Sequence, residues 1–198
     1  MPASDYSRDP SDWRIAERIR QGSEAAFETL FRRYCDPLCT FAEGFVETAP
    51  VAEDLVHDVF CDIWDRRADF EPKGAVKAYL YRAVRNKALN TIERRRVRRE
   101  WVTEKKYDLT PSSMEATRAA EYRELQEAVK HAIVELTERQ RTVYRLVRHQ
   151  HLSYAEVATV LDISEKTVEN HMGRALKRLR ASLTTLFRSE EHTSELQS

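Results

Sequence analysis

Apolar residues recur every three to four positions along most of this chain, and nowhere do they alternate over a useful length. Phe27, Leu30, Phe31 and Tyr34 stand at i, i+3, i+4 and i+7, the signature of one helix face. Trp13, Ala16 and Ile19 show the same spacing before them. Leu38, Phe41, Ala42 and Phe45 extend it beyond Pro37, a residue expected to kink or interrupt the helix. A third helix is expected from near Val51 to about Arg67, and a fourth from Ala75, after the Pro72–Gly74 break, to about Arg99. Only 4 of the 198 residues are Gly, which agrees with a helical chain. The expected fold is all-α: two small helical domains joined by a flexible linker, the C-terminal one a helix-turn-helix.

The periodicity also sets the expected boundaries. Residues 1–12 are polar and expected to be disordered, and 13–99 form the first domain. Residues 100–120 lose the periodicity and hold Pro111 in a Ser/Thr cluster, so they are read as the linker. Residues 121–187 form the second domain, with a helix from near Thr117 to about Glu135 and three shorter ones after it. Thr137-x-x-Gln140 and Ser153-x-x-Glu156 fit the capping box, and Ser164 before Glu165 is a third helix start. The last eleven residues, RSEEHTSELQS from Arg188 to Ser198, match the translation of a common sequencing-library adapter. They are treated as an assembly artefact, and the natural C-terminus is left open.

Charge bears on function. The chain holds 33 Lys+Arg and 33 Asp+Glu. Setting aside the one Arg and three Glu of the final eleven residues leaves 32 basic against 30 acidic, a net charge of +2. A protein that holds nucleic acid by bulk charge is more basic, so any DNA contact must come from local patches. No apolar stretch approaches the roughly 20 residues of a membrane span, and the N-terminus lacks an apolar signal core. Three cysteines, Cys35, Cys39 and Cys61, are too few for a disulfide framework. The expected location is the cytoplasm, with no membrane insertion. Cys35, Cys39, His57 and Cys61 at four-residue spacings make a Zn site conceivable, but burial as free thiols is the ordinary state, and no metal or cofactor is expected.

Three constellations carry chemistry. Asp54, Asp58, Asp62, Asp65 and Asp69 are spaced four, four, three and four apart, within an arc of about 80° at 100° per residue. Leu55, Val56, Val59, Phe60, Ile63 and Trp64 take the other side. Like charges at i, i+4 destabilise a helix, so such a row suits a docking face for a basic partner, against the plainer alternative of a solvated face. Next, residues 82–99 hold Arg82, Arg85, Lys87, Arg94, Arg95, Arg96, Arg98 and Arg99 against Glu93 alone. Asn86 and Asn90 lie in the run, and Tyr79 and Tyr81 just before it. Cationic side chains bind phosphates, Asn reads base edges and aromatic rings stack on unpaired bases, a combination suited to a single strand or a melting duplex.

The third constellation, Leu152 to Arg180, reads as a short helix, a tight turn and a longer helix. Ala155, Val157, Ala158 and Leu161 are expected to pack against Val168, Met172, Ala175 and Leu179. Asp162 fills the turn, where Asp tolerates the left-handed conformation. Lys166, Thr167, Glu169, Asn170, Arg174, Lys177 and Arg178 point outward. In such a unit the second helix enters the major groove. Asn170 suits adenine, Glu169 suits cytosine, and Arg174, Lys177, Arg178 and Arg180 suit phosphates.

Together these segments resemble the sigma-70 family of bacterial RNA polymerase initiation factors, specifically the small two-domain extracytoplasmic-function (ECF) class. The resemblance covers roughly residues 13–183 and rests on five strings in the family's order. They are AFETLFRRY (Ala26–Tyr34), AEDLVHDVFCDIW (Ala52–Trp64), VKAYLYRAVRNKALNTIERRR (Val76–Arg96), LTERQRTVYRL (Leu136–Leu146) and the helix-turn-helix segment. It implies a sigma factor rather than an enzyme. Docking on core RNA polymerase would fall to Asp54, Asp58, Asp62 and Trp64. Recognition and melting of the −10 element would fall to Tyr79, Arg82, Arg85, Asn86, Asn90, Arg94 and Arg95. Recognition of the −35 element would fall to Ser164, Lys166, Thr167, Glu169, Asn170, Arg174, Lys177 and Arg178. The implied partners are core polymerase and promoter DNA, with the factor a monomer and an anti-sigma factor left open. The rivals are a stand-alone DNA-binding regulator using the same hairpin and a nuclease built on the aspartate row. The first hundred residues look like neither a receiver nor a dimer helix, and no Ser-His-Asp, Cys-His or P-loop set accompanies the aspartates.

Overall fold

The computed structural model describes residues 10–46, 48–99, 129 and 131–195; side chains at 10, 95–99, 183 and 185–195 lie outside the described set. The expected linker 100–120 and most of the expected N-terminal tail also fall outside it. Four helices come first: α1 Pro10–Arg20, α2 Glu24–Ala42, α3 Ala49–Asp65 and, after a 3-10 turn at Arg67–Asp69, α4 Val76–Arg99. A helical stretch over 131–134 leads into α5 Glu138–Arg148, α6 Tyr154–Leu161 and α7 Glu165–Glu195. Among the described residues there is no strand, and no helix is long and apolar enough to cross a membrane.

Local chemistry sets these boundaries. Gly22 takes φ +86°, a left-handed turn that ends α1, and Ser23 Oγ accepts from the Ala26 amide at 3.3 Å to start α2. Both expected capping boxes are present, at Thr137/Gln140 and Ser153/Glu156. Ser164 Oγ accepts from the Thr167 amide at 3.2 Å to open α7. Asp162 ends α6 at φ 57°, ψ 49°, the left-handed geometry assigned to the turn.

The structure corrects several expectations. Pro37 lies within an unbroken α2. Asp69 sits in the 3-10 turn, not on α3. Ala155 is exposed, and Val160 takes its place in the core with Val157 and Ala158, because the helix packs against both α4 and α7. Helix α7 continues to Glu195, past the point where the apolar pattern fades. A nucleated helix propagates cheaply, and residues 188–195 hold no Pro or Gly.

Order also begins earlier than residue 13, since α1 starts at Pro10. Asp12 anchors that start. It is 2% exposed, and its two carboxylate oxygens accept from Arg33 and from the Tyr34 hydroxyl. The tie fixes α1 across α2 and places Ala16 and Ile19 in the core with Leu30 and Leu38. Asp12→Ala removes two charge-assisted hydrogen bonds from a buried site. It is expected to cost about 1.5–3 kcal/mol of stability, read as a lowered urea midpoint.

Candidate functional site

The aspartates face outward because α3 buries the other side. Ala52, Leu55, Val56, Val59, Phe60 and Ile63 are buried on α3, and Phe60 meets the rings of Phe27 and Phe31 at 6.0 and 4.9 Å. Asp54, Asp58, Asp62 and Asp65 are consequently exposed along one face. Trp64 is half-buried at the end of the row. Its ring lies 5.0 Å from that of Phe27, and the Arg67 guanidinium sits 4.8 Å from its centroid. The row is not free of counter-charge: Lys87 of α4 places Nζ 2.8 Å from Asp62 and 3.3 Å from Asp58.

Helix α4 separates its polar residues by face. At 100° per residue, Tyr79, Arg82, Asn86, Asn90 and Arg94 fall within an arc of about 120°, and all five are exposed. Arg85 points away from them. The side chain of Arg95 is outside the described residues. Between α3 and α4 runs an open cleft of about 550 Å³, whose lining includes Asp62, Arg66, Phe70, Tyr79, Lys87 and Asn90. The rings of Phe70 and Tyr79 meet edge to face at 5.5 Å, so an aromatic wall, an amide, two cations and the carboxylates of Asp62 and Asp69 border one cleft. Phe70, Arg66 and Lys87 are absent from the sequence-derived site. Lys87 stands in the basic run, but only packing shows that it turns towards α3.

On the second domain the expected stripe is buried: Val168, Met172, Ala175 and Leu179 are all under 10% exposed. Lys166, Glu169, Asn170, Arg174, Lys177 and Arg178 are exposed on the opposite side of α7. Five of the expected residues are already engaged, Arg178 among them by donating to the Glu135 carbonyl at 3.4 Å. Ser164 and Thr167 share a hydroxyl hydrogen bond at 2.8 Å as part of the cap. Lys166 pairs with Glu169 at 2.7 Å, an exposed pair of the kind that exchanges partners at little cost.

The two helical groups touch each other. Gln150, just after α5, receives two bonds from α4: Tyr81 donates its hydroxyl to Oε1 at 2.6 Å, and Lys77 donates to the carbonyl at 2.5 Å. Tyr81 is fully buried, with the Phe41 ring at 5.1 Å, and burial pushes its phenol up. Burial likewise lowers the Lys77 ammonium, against the opposing pull of Glu156 and Asp12. Beside this contact a cavity of about 510 Å³ is lined by Phe45, Arg85 and Leu89 from one group and Glu138, Arg139 and His171 from the other. Arg85 therefore faces the second domain rather than sharing a surface with Arg82.

Cys35 and Cys39 share a side-chain hydrogen bond on α2, and Cys61 stands apart on α3. Cys35 and Cys39 are half-buried and Cys61 is exposed. Burial pushes the Cys39 thiol up to about 12, and His57 stacks on Phe31 at 5.7 Å. Among the described residues no group of three or more His, Cys, Asp or Glu is placed to hold a metal ion.

Residues 30–98 match the family model for Sigma-70 region 2, and residues 126–179 match that for Sigma-70, region 4. The chain is 28% identical over 185 residues to the RNA polymerase sigma-H factor of Pseudomonas aeruginosa, covering 89% of this chain and 96% of that one. It is 30% identical over 158 residues to the ECF RNA polymerase sigma factor SigM of Mycobacterium tuberculosis, covering 80% and 77%. Among solved structures, CnrH in complex with the cytosolic domain of CnrY matches with a TM-score of 0.63 at 27% identity, over 88% of this chain and 98% of that one.

Removing the acceptor at the interdomain contact tests what Gln150 holds. Gln150→Ala leaves the buried Tyr81 hydroxyl without its partner, at an expected cost of about 1–3 kcal/mol. Tyr81→Phe, which leaves only the partly exposed amide to find water, is expected to cost less. Urea unfolding of both variants checks the order.

Proposed function

The chain belongs to the ECF class of the sigma-70 family of RNA polymerase sigma factors, and from that membership we propose that its α3 face grips core polymerase while α4 and α7 read the −10 and −35 elements. It serves promoter-specific transcription initiation with RNA polymerase, as a binding factor rather than an enzyme. The observation that carries the assignment of surfaces is their separation. Exposed carboxylates, an aromatic and amide-lined basic helix, and a capped helix-turn-helix lie on three different helices of one chain.

Each surface has a physical role. Asp54, Asp58, Asp62 and Trp64 offer charge and one aromatic anchor to a basic polymerase element. On α4, Tyr79 beside Phe70 gives an unpaired base a ring to stack on. Asn86 and Asn90 suit base edges, and Arg82, Arg94 and Arg95 suit phosphates. Arg85 meets DNA only if the second domain moves away from it. Unstacking costs a few kcal/mol, offset when the freed base is held by protein. On α7, Asn170 and Glu169 lie where base edges are read, Lys166 and Thr167 beside them, while Arg174, Lys177 and Arg178 reach phosphates. Ser164 holds the helix start in place.

Promoter geometry requires the two groups to part. Elements centred about 25 base pairs apart lie about 85 Å apart at 3.4 Å per base pair, whereas α4 is bonded to the second domain through Gln150. Docking on polymerase would hold the separated domains at the promoter's spacing and raise the effective concentration of the second contact. Near-zero net charge suits this, because the free factor then binds DNA weakly. The match to CnrH, solved with the cytosolic domain of CnrY, and the fold shared with a Bartonella quintana sigma factor RpoE solved with the anti-sigma factor NepR support an anti-sigma partner. Such a partner would hold the chain away from polymerase.

Run-off transcription with core polymerase on genomic promoter fragments tests the whole account; absence of RNA from a formed complex would overturn it. Replacing Asp54, Asp58 and Asp62 together by Asn is expected to weaken polymerase binding at least about tenfold, with a smaller effect on promoter contact; equal polymerase affinity refutes the docking face. Arg174→Ala is expected to lower −35 affinity across sequences and reduce the salt slope of binding by about 1. An unchanged footprint over the −35 region refutes it.

A further inference from the structure

Lys87 belongs to two surfaces at once. Its ammonium bridges Asp62 at 2.8 Å and Asp58 at 3.3 Å, one turn apart on α3. The same side chain lines the α3/α4 cleft with Arg66, Tyr79 and Asn90, and with the carboxylates of Asp62 and Asp69. The Lys87 side chain is 28% exposed, against 64% for Asp58 and 67% for Asp62. The carboxylates thus present most of their surface to an incoming partner, while the cation is held in the crevice between the helices. Burial alone would lower its proton affinity, yet the hydrogen bonds and charges of Asp62 and Asp58 raise it on balance.

We propose that Lys87 is a coupling cation: in the free factor it neutralises two aspartates of the polymerase-docking face, and when polymerase cations take Asp58 and Asp62 its ammonium turns into the cleft to hold a phosphate of the opened strand. This rests on the surfaces assigned above. The physics is competition for one charge. Asp58 and Asp62 cannot be satisfied equally by Lys87 and by a partner's cations at the same positions. A phosphate in the cleft draws Lys87 from the aspartates just as polymerase releases it to the cleft. Linkage makes the two effects equal in size. Partly exposed pairs contribute little each, so the coupling is expected to be about threefold to tenfold. A plain structural clamp between α3 and α4 differs in sign, because losing a clamp weakens every function of the domain.

The test uses the full chain with core polymerase and compares wild type, Lys87→Met, Lys87→Arg and Asp54→Asn. Lys87→Met keeps the apolar stem and removes the charge. It is expected to bind core polymerase about threefold to tenfold more tightly. Its open complexes, on a promoter fragment that the wild type opens, are expected to decay faster under heparin challenge. Lys87→Arg is expected to restore both values. Polymerase binding by Lys87→Met that is unchanged or weaker overturns the coupling, as does unchanged open-complex lifetime. Asp54→Asn separates the two levels of the account. If it weakens polymerase binding while Lys87→Met does nothing, only the coupling is wrong. If neither variant changes polymerase affinity, the docking face itself has failed, and the coupling with it.

Discussion

Burial of the apolar side of α3 against α2 sets the rest of the first domain. Phe60 and Ile63 enter the core beside Leu30 and Tyr34, and a helix so fixed has no rotational freedom left. Its aspartates must face solvent, whatever their mutual repulsion. Apolar burial contributes about 1.5–3 kcal/mol per large side chain, while each like-charge pair on a helix costs about 0.2–0.5 kcal/mol. The core therefore dominates, and a charged row that would fray an isolated helix is carried by the packing beneath it. The same packing places α4 alongside α3, which gives the aspartates their cation and the α3/α4 cleft its second wall.

The two helices proposed to face DNA are built differently. Helix α7 is amphipathic: one stripe is buried and the other exposed, as expected of a helix that lies on a small domain and enters a groove. Helix α4 has a strongly buried first half, with Tyr81, Val84 and Ala88 in the core. Beyond it, Ile92, Glu93 and Arg94 are exposed. In the proposed function, one surface meets a rigid duplex and the other an irregular, partly open strand.

Much of this was legible in the sequence because it depends on local rules. The capping boxes at Thr137 and Ser153 and the left-handed Asp162 follow from side-chain chemistry within four residues. The stripe of Val168, Met172, Ala175 and Leu179 follows from helical period alone. Ala155 departs from its expected place because a two-turn helix has too few apolar positions to fix its phase, and packing against α4 and α7 decides it. Asp12 was lost in a polar tail because its partners lie more than twenty residues away.

The sequence by itself determined most of the helices, their capped starts, the acidic row from Asp54 to Asp65 and the outward set on α7, since each needs only periodicity and nearest-neighbour chemistry. Tertiary structure decided which charges meet. Lys87 turns to α3 rather than to solvent, Arg85 faces the second domain, and Tyr81 spends its hydroxyl on Gln150 69 residues away. Those assignments depend on how helices far apart in the chain lie against one another, and buried area sets that, not local pattern.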